Sequence, residues 1–324
     1  MGFLNTLPGV PSVESPFFDR LFADADPETR RVAEDLRRDG LAVIDFPEPQ
    51  FAELADAIIA ELGPRMPLDG FRAGQTSGPR IEGAWRESPP VRRLATNAAV
   101  IDLLGRLFGR PAFPFQTLNF PVGTQQHAHT DSVHFSSMPE RFMCGVWIAL
   151  EDIHPDAGPL LYYPGSHRLP IFTNEHIGFA SHRALELPTQ GVYEAMWDDL
   201  VEAQGLKPAR FSPKRGQAVI WLANLLHGGS PQNDLNRTRW SQVTHYYFED
   251  CAYYTPMHSN PPMGRIAFRD IVDIRTGAAA PNRHLGEDIS KAFIEATSLG
   301  GPHQVLPRPS LAHRALRRLR RLAG

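Results

Sequence analysis

Two neighbouring stretches decide how this chain is read: Phe115-Gln116-Thr117-Leu118-Asn119-Phe120-Pro121 and, after a turn at Gly123, Gln126-His127-Ala128-His129-Thr130-Asp131-Ser132-Val133-His134-Phe135. From about residue 113 short β-rich segments alternate with Gly, Pro and Asp turns. The pattern returns at 142–150, 160–163, 218–223 and 239–248. Several short strands bounded by turn residues predict a sandwich or barrel rather than alternating βαβ units. Residues 170–212 interrupt the strands with an insertion that can form a helix over 193–204. No GxGxxG or GxxxxGK[ST] loop occurs, which counts against a Rossmann or P-loop enzyme.

Toward the N-terminus the texture is mixed. Pro27-Glu28-Thr29 opens a helix with Asp26 as its N-cap, and Gly40 closes it. Residues 41–46 predict a short strand. Phe51, Leu54, Ala55, Ile58, Ile59 and Leu62 then fall on one helical face. Residues 64–90, rich in Gly, Pro, Arg and Ser, predict a loop, and 97–107 a helix ended by Gly109. Residues 1–112 are accordingly expected to buttress the same domain as a catalytic core over 113–250, with 251–324 as a C-terminal extension.

Composition narrows the function. The 324 residues are 42% hydrophobic and 21% charged, which is globular and not disordered. Thirty-three basic side chains against 36 acidic ones leave a net charge of −3, so the chain is not an electrostatic nucleic-acid binder. No apolar run approaches the roughly 18 residues that span a bilayer. The first residues lack the basic and apolar regions of a secretory signal. Cys144 and Cys251 make no disulfide framework and suit a reducing compartment, so a cytoplasmic protein is expected. The tail over 310–322 is basic, with Leu311, Ala315, Leu319 and Leu322 on one helical stripe. Such a helix can touch an anionic membrane peripherally, or dock on its own domain. The sequence leaves the oligomeric state open.

Thirteen histidines are more than packing needs, and their places matter. In a strand His129 and Asp131 would project from one face. A second histidine from a distant strand would complete a 2-His-1-carboxylate triad with open metal positions. His227 is the obvious supplier, standing where residues 218–223 turn toward Gly228-Gly229, glycines that permit a close backbone approach. A second HxD, His154-Pro155-Asp156, fails because Pro155 breaks a ladder and Asp156-Ala157-Gly158 is turn chemistry. His127 shares the face of His129 and is a rival ligand. The residues alone leave open whether this set holds a metal or is simply a group of satisfied polar side chains. Farther on, Arg239, Ser241, Val243 and His245 alternate onto one face. An inward arginine requires an anion, and a guanidinium can grip a carboxylate with two parallel hydrogen bonds. A rim arginine in a surface ion pair is the other reading.

These residues resemble the phytanoyl-CoA dioxygenase family of iron(II)/2-oxoglutarate-dependent oxygenases. The resemblance covers about residues 28–250. It is densest in Trp147-Ile148-Ala149-Leu150-Glu151-Asp152, Gly158-Pro159-Leu160 and Pro164-Gly165-Ser166-His167, between the HxD and the distal His-Gly. It implies a mainly β fold with flanking helices around a double-stranded β-helix (jelly roll, cupin-like) core. It implies His129, Asp131 and His227 as the catalytic Fe(II) ligands and Arg239 as the residue binding the far carboxylate of 2-oxoglutarate, with Arg237 as the lesser candidate. Trp147 and Gln116 would lie beside the cosubstrate. The family's serine falls here at Ser230, one place late, where Gly229 stands instead. The activity implied is hydroxylation of a small organic molecule with O2 and 2-oxoglutarate, releasing succinate and CO2. Asp131 retains its carboxylate, which favours hydroxylation over halogenation. Desaturation, cyclisation, epimerisation or a silent cupin-like binding protein are the alternatives. His134 and Phe135 could face the substrate or the core.

Overall fold

The computed structural model describes residues 5–178 and 189–298. The helix Pro27–Asp39 starts where predicted: the Asp26 carboxylate accepts from the Thr29 N–H at 2.9 Å, and Gly40 ends the helix at φ 78°. Glycine is required at position 40 twice over, since an added Cβ would also lie 2.5 Å from Nδ1 of the buried His167. The helix buries Val32, Ala33 and Leu36 and hands the chain directly into the first strand.

The strands are β1 (Leu41–Asp45), β2 (Ile81–Glu82), β3 (Ala112–Phe120), β4 (Ser136–Met138), β5 (Met143–Ala149), β6 (Leu160–Tyr162), β7 (Ala209–Phe211), β8 (Gln217–Leu222), β9 (His227–Gly229), β10 (Ser241–Phe248) and β11 (Ala252–Tyr254). Six form one antiparallel sheet in the order β1-β8-β5-β10-β3-β2, and three form a smaller one, β7-β6-β9. The N-terminal region thus supplies the edge strand β1, with Leu41 opposite Trp221 and Asp45 opposite Gln217.

Alternation in the central strands explains the layers. Cys144, Val146 and Ile148 of β5, with Ala218, Ile220 and Leu222 of β8, pack among side chains of the helices Pro27–Asp39, Phe51–Leu62, Pro89–Ala95 and Ala98–Phe108. The intervening Trp147, Ala149, Val219 and Trp221 pack toward Leu160, Tyr162 and Phe211 of the small sheet. A sheet covered on both faces reads as a continuous apolar run, and β5 is buried at every position. The result is a double-stranded β-helix core whose outer face carries the helices. The two sheets face each other without closing into a barrel.

Three expectations need correction. Residues 126–135 are not a strand: a single bridge joins His129 to His227, and Asp131–Val133 is a 3-10 turn. The Asp131 carbonyl accepts from the N–H groups of His134 (2.9 Å) and Phe135 (2.8 Å), which ends any ladder there. The loop over 64–90 contains a short helix, Asp69–Arg72, and the strand β2. The insertion helix starts earlier than predicted, spanning Thr189–Ala203. The basic tail over 310–322 lies outside the described residues.

Candidate metal centre

The bridge between His129 and strand β9 sets the site. His129 N–H donates to the His227 carbonyl at 2.8 Å, and His227 N–H returns the bond at 2.9 Å. Such an approach needs Gly228, because a Cβ there would lie 2.8 Å from the Gln126 carbonyl oxygen. Each imidazole places Nδ1 2.9 Å from a backbone carbonyl, that of His127 for His129 and that of Leu225 for His227. A carbonyl only accepts, so Nδ1 carries the proton and Nε2 presents its lone pair. Burial pushes the His227 imidazole down to about 4, so it is neutral at physiological pH. Asp131 accepts a 2.8 Å hydrogen bond from Trp221 Nε1 through Oδ2, which lies 4.0 Å from His227 Nε2. One ligand atom from each of His129, Asp131 and His227 lies within 4.8 Å of the others. The convergence comes from an isolated bridge between His129 and β9 plus a turn, not from the pleat of one strand.

The other candidates separate clearly. His127 is exposed, and its role at the centre is the carbonyl that orients His129. His154 and Asp156 face each other at 3.6 Å on an exposed turn. Arg237 is on the surface, 3.2 Å from Asp234. Arg239, just before β10, is 3% exposed, and its Nε has no partner. Among the described residues its Nη2 reaches only the Val122 carbonyl, at 3.4 Å. Burial alone brings its pKa down to about 10. The guanidinium stands 5.6 Å from the Trp147 ring, whose Nε1 is also buried without a partner.

Arg239, Trp147 and the His129–Asp131–His227 cluster line one cavity of about 580 Å³. Gln116 lines it too, donating from Nε2 to Glu82 at 2.5 Å while its Oε1 lies 2.8 Å from His245 Nδ1. Ser230 is buried, its N–H bonded to the Pro159 carbonyl at 2.9 Å, and its unpartnered hydroxyl is not among the cavity's lining groups. His134 and Phe135 both line the cavity.

Two residues were missed as site members. Trp221 orients Asp131, and His245 brings Nε2 within 3.8 Å of Asp131 Oδ2. The alternation Arg239, Ser241, Val243, His245 was the signal available for the second. The insertion also contributes: Trp197 packs with Val133, Leu226 and Met257, its ring 6.3 Å from that of His129. Tyr193 anchors the same helix by donating to Asn174 at 2.9 Å.

Two expected results follow. In Gly145→Ala the new Cβ would lie 2.1 Å from the Trp221 ring, so the tryptophan must move and the protein should lose about 1–3 kcal/mol. A thermal melt checks this, and an unchanged midpoint would contradict it. The second concerns acid. Burial pushes His134, His167 and His227 each down to about 4 in the fold, below the usual imidazole value of 6.5. Between those limits the unfolded chain takes up protons that the fold refuses, so stability present above pH 6.5 is lost as pH falls toward 4. For the metal-free protein we expect about 2 kcal/mol lost per imidazole between pH 7 and pH 5. A urea midpoint that does not move between those pH values would contradict it.

Comparison with known proteins completes the picture. A search of curated proteins finds no match to the chain. Among solved structures, the non-heme alpha ketoglutarate dependent carbocyclase SnoK from nogalamycin biosynthesis is similar at 16% identity and TM-score 0.55, covering 71% of this chain and 87% of that one. EctD from S. alaskensis with bound Fe is 22% identical with TM-score 0.54, covering 72% and 82%. The epimerase SnoN in complex with Fe3+, alpha ketoglutarate and nogalamycin RO is 21% identical with TM-score 0.52, covering 70% and 87%. These likenesses support the fold. The sequence profile described as phytanoyl-CoA dioxygenase matches residues 68–238, more than half of the chain, from the loop before β2 to the residue before Arg239. The chain therefore belongs to the phytanoyl-CoA dioxygenase family of iron- and 2-oxoglutarate-dependent oxygenases.

Proposed function

We propose that this protein is an Fe(II)/2-oxoglutarate-dependent dioxygenase that hydroxylates an unactivated C–H bond of a small organic substrate, releasing succinate and CO2. One observation carries the reading: a buried three-donor cluster and a buried guanidinium without a counter-ion among the described residues face the same cavity. The donor set fits ferrous iron, two neutral imidazoles and a carboxylate being the facial triad of non-haem iron oxygenases. The unpaired Arg239 fits a dianionic cosubstrate, since a buried cation without an anion is costly.

In this reading His129, Asp131 and His227 hold the metal, and Arg239 holds the far carboxylate of 2-oxoglutarate. Bound iron and 2-oxoglutarate would supply oxygen activation coupled to oxidative decarboxylation. The chain does the rest. The carbonyls of His127 and Leu225 fix the two imidazole tautomers, and Trp221 fixes the Asp131 carboxylate, so the donor atoms are placed before metal arrives. Trp147 offers its free indole N–H to the cosubstrate beside Arg239. Gln116 lines the same cavity and orients His245, its Oε1 2.8 Å from His245 Nδ1, with an N–H and a carbonyl lone pair still available to the cosubstrate.

Asp131 keeps its carboxylate, so no donor position is given up to a halide, which favours hydroxylation over halogenation. The same residues would serve C–H abstraction ending in desaturation, cyclisation or epimerisation. The test is a screen of candidate metabolites for succinate release, with the oxidised product identified by mass. A gain of one oxygen atom per succinate supports hydroxylation. A loss of two hydrogens, or an unchanged mass with inverted configuration, selects the other outcomes, and no coupled release from any metabolite contradicts the reading.

A further inference from the structure

We infer that the substrate is a compact polar molecule carrying an ammonium group, and that a coenzyme A thioester is not accommodated. This rests on the oxygenase reading for the meaning of the cavity, but the inference itself comes from the cavity's other wall.

The cavity has two unlike ends. Around Arg239 the walls are apolar, formed by Leu118, Phe120, Trp147, Leu160 and Val243. That end is occupied, in the reading above, by 2-oxoglutarate. Around His245 the lining changes to hydrogen-bonding side chains, with Gln116 opposite it on β3 and His134 beside Phe135, and Gln125, Gln126 and Gln190 add to the polar lining of the cavity as a whole. Phe135 is the large apolar side chain there, its ring 5.1 Å from that of His245. A long acyl chain needs a continuous apolar wall to repay leaving water, and this end does not provide one.

Charge points the same way. Apart from Asp131 and Arg239, the Asp, Glu, Lys and Arg side chains among the described lining residues are Arg80, Glu82 and Glu194. Glu82 lies on β2, and Glu194 on the insertion helix. Among the described residues no basic side chain forms an ion pair with either. Each accepts from an amide instead: Glu82 from Gln116 at 2.5 Å and Glu194 from Gln190 at 3.1 Å. The Glu82–Gln116 bond continues inward. With its Nε2 on a carboxylate, Gln116 must accept from His245 Nδ1–H, so the buried His245 turns a bare Nε2 lone pair toward the cavity, 3.8 Å from Asp131. Two carboxylates without an ion-pair partner among the described residues and a buried acceptor form a lining that wants donors and positive charge. Coenzyme A carries a pyrophosphate and a further phosphate, which proteins grip with clustered Lys and Arg. Among the described lining residues, Arg80 alone cannot balance them against Glu82 and Glu194.

The experiment has two arms. Anaerobic loading with Fe(II) and 2-oxoglutarate comes first; failure there counts against the oxygenase reading and leaves the cavity to be probed in the unloaded protein. Calorimetric titration then uses L-lysine, putrescine and glucosamine, each beside its fully N-acetylated form, together with decanoyl-CoA. We expect binding of at least one ammonium probe, weakened about tenfold or more by acetylation and by Glu82→Gln or Glu194→Gln. Decanoyl-CoA should give no binding heat at the same concentration. The glutamates lie outside the core, so melting midpoints of the variants should match the parent and rule out misfolding. The inference is overturned if decanoyl-CoA binds, if acetylated probes bind as well as their parents, or if no ammonium probe binds.

Discussion

Asp131→Ala should abolish 2-oxoglutarate-coupled oxygen consumption, by about three orders of magnitude or more. Loss of an outer partner of a metal ligand alone typically costs 10- to 100-fold, and here a ligand itself is removed. Alanine also leaves the Trp221 indole N–H, 2.8 Å from Asp131 Oδ2 in the parent, without an acceptor. That would cost about 1–3 kcal/mol of stability. Asp131→Asn separates the effects, because the amide oxygen can still accept from Trp221 while the negative charge on the metal is gone. The expected pattern is loss of coupled turnover in both variants and loss of stability mainly in the alanine. Oxygen uptake and succinate release give the first quantity, a thermal melt the second. Coupled turnover retained in Asp131→Ala would remove the carboxylate from the centre.

Arg239→Met should have effects of opposite sign on binding and on stability. The guanidinium is 3% exposed, and its Nε has no partner. Losing a charge-assisted, bidentate grip should weaken 2-oxoglutarate binding about 100-fold or more, equivalent to about 3 kcal/mol. In the metal-free, cosubstrate-free protein the same change removes a buried, unpaired cation and fills its space with an apolar side chain. The empty variant should therefore be more stable by about 1–3 kcal/mol. A destabilised variant that still binds 2-oxoglutarate tightly would show that Arg239 is a structural residue.

Local signals were the readable part of the fold. The Asp26 cap, the Gly40 stop and the apolar stripe from Phe51 to Leu62 are set within a few residues of chain, so the sequence states them directly. The central strands were readable because burial on both faces leaves a dense apolar run, as in β5. Residues 126–135 were not, since His127, His129 and Asp131 keep the two-residue spacing of a strand in what is a bridge followed by a turn. The deciding bonds, from the His134 and Phe135 N–H groups to the Asp131 carbonyl, are backbone bonds that no residue type announces.

The site divides in the same way. His129, Asp131 and His227 carry their chemistry in their identity, and the structure brings them together. Arg239 and Arg237 were separable only by their surroundings, one buried beside Trp147 and the other paired with Asp234 on the surface. Trp221 and His245 read as strand residues, because their contacts with Asp131 cross between elements far apart in the chain. Glu82 and Glu194 sit in a Gly- and Pro-rich stretch and in an insertion, and only the folded chain shows them lining one cavity.

The most direct test of the metal centre is spectroscopic and needs no substrate. Under anaerobic conditions the protein is mixed with Fe(II) and 2-oxoglutarate, and its visible spectrum is recorded. A weak charge-transfer absorption that appears only with both additions, and is lost in Asp131→Ala and His227→Ala, is the predicted result. A flat spectrum in the parent protein, or an absorption that survives in both variants, would mean that His129, Asp131 and His227 do not hold iron.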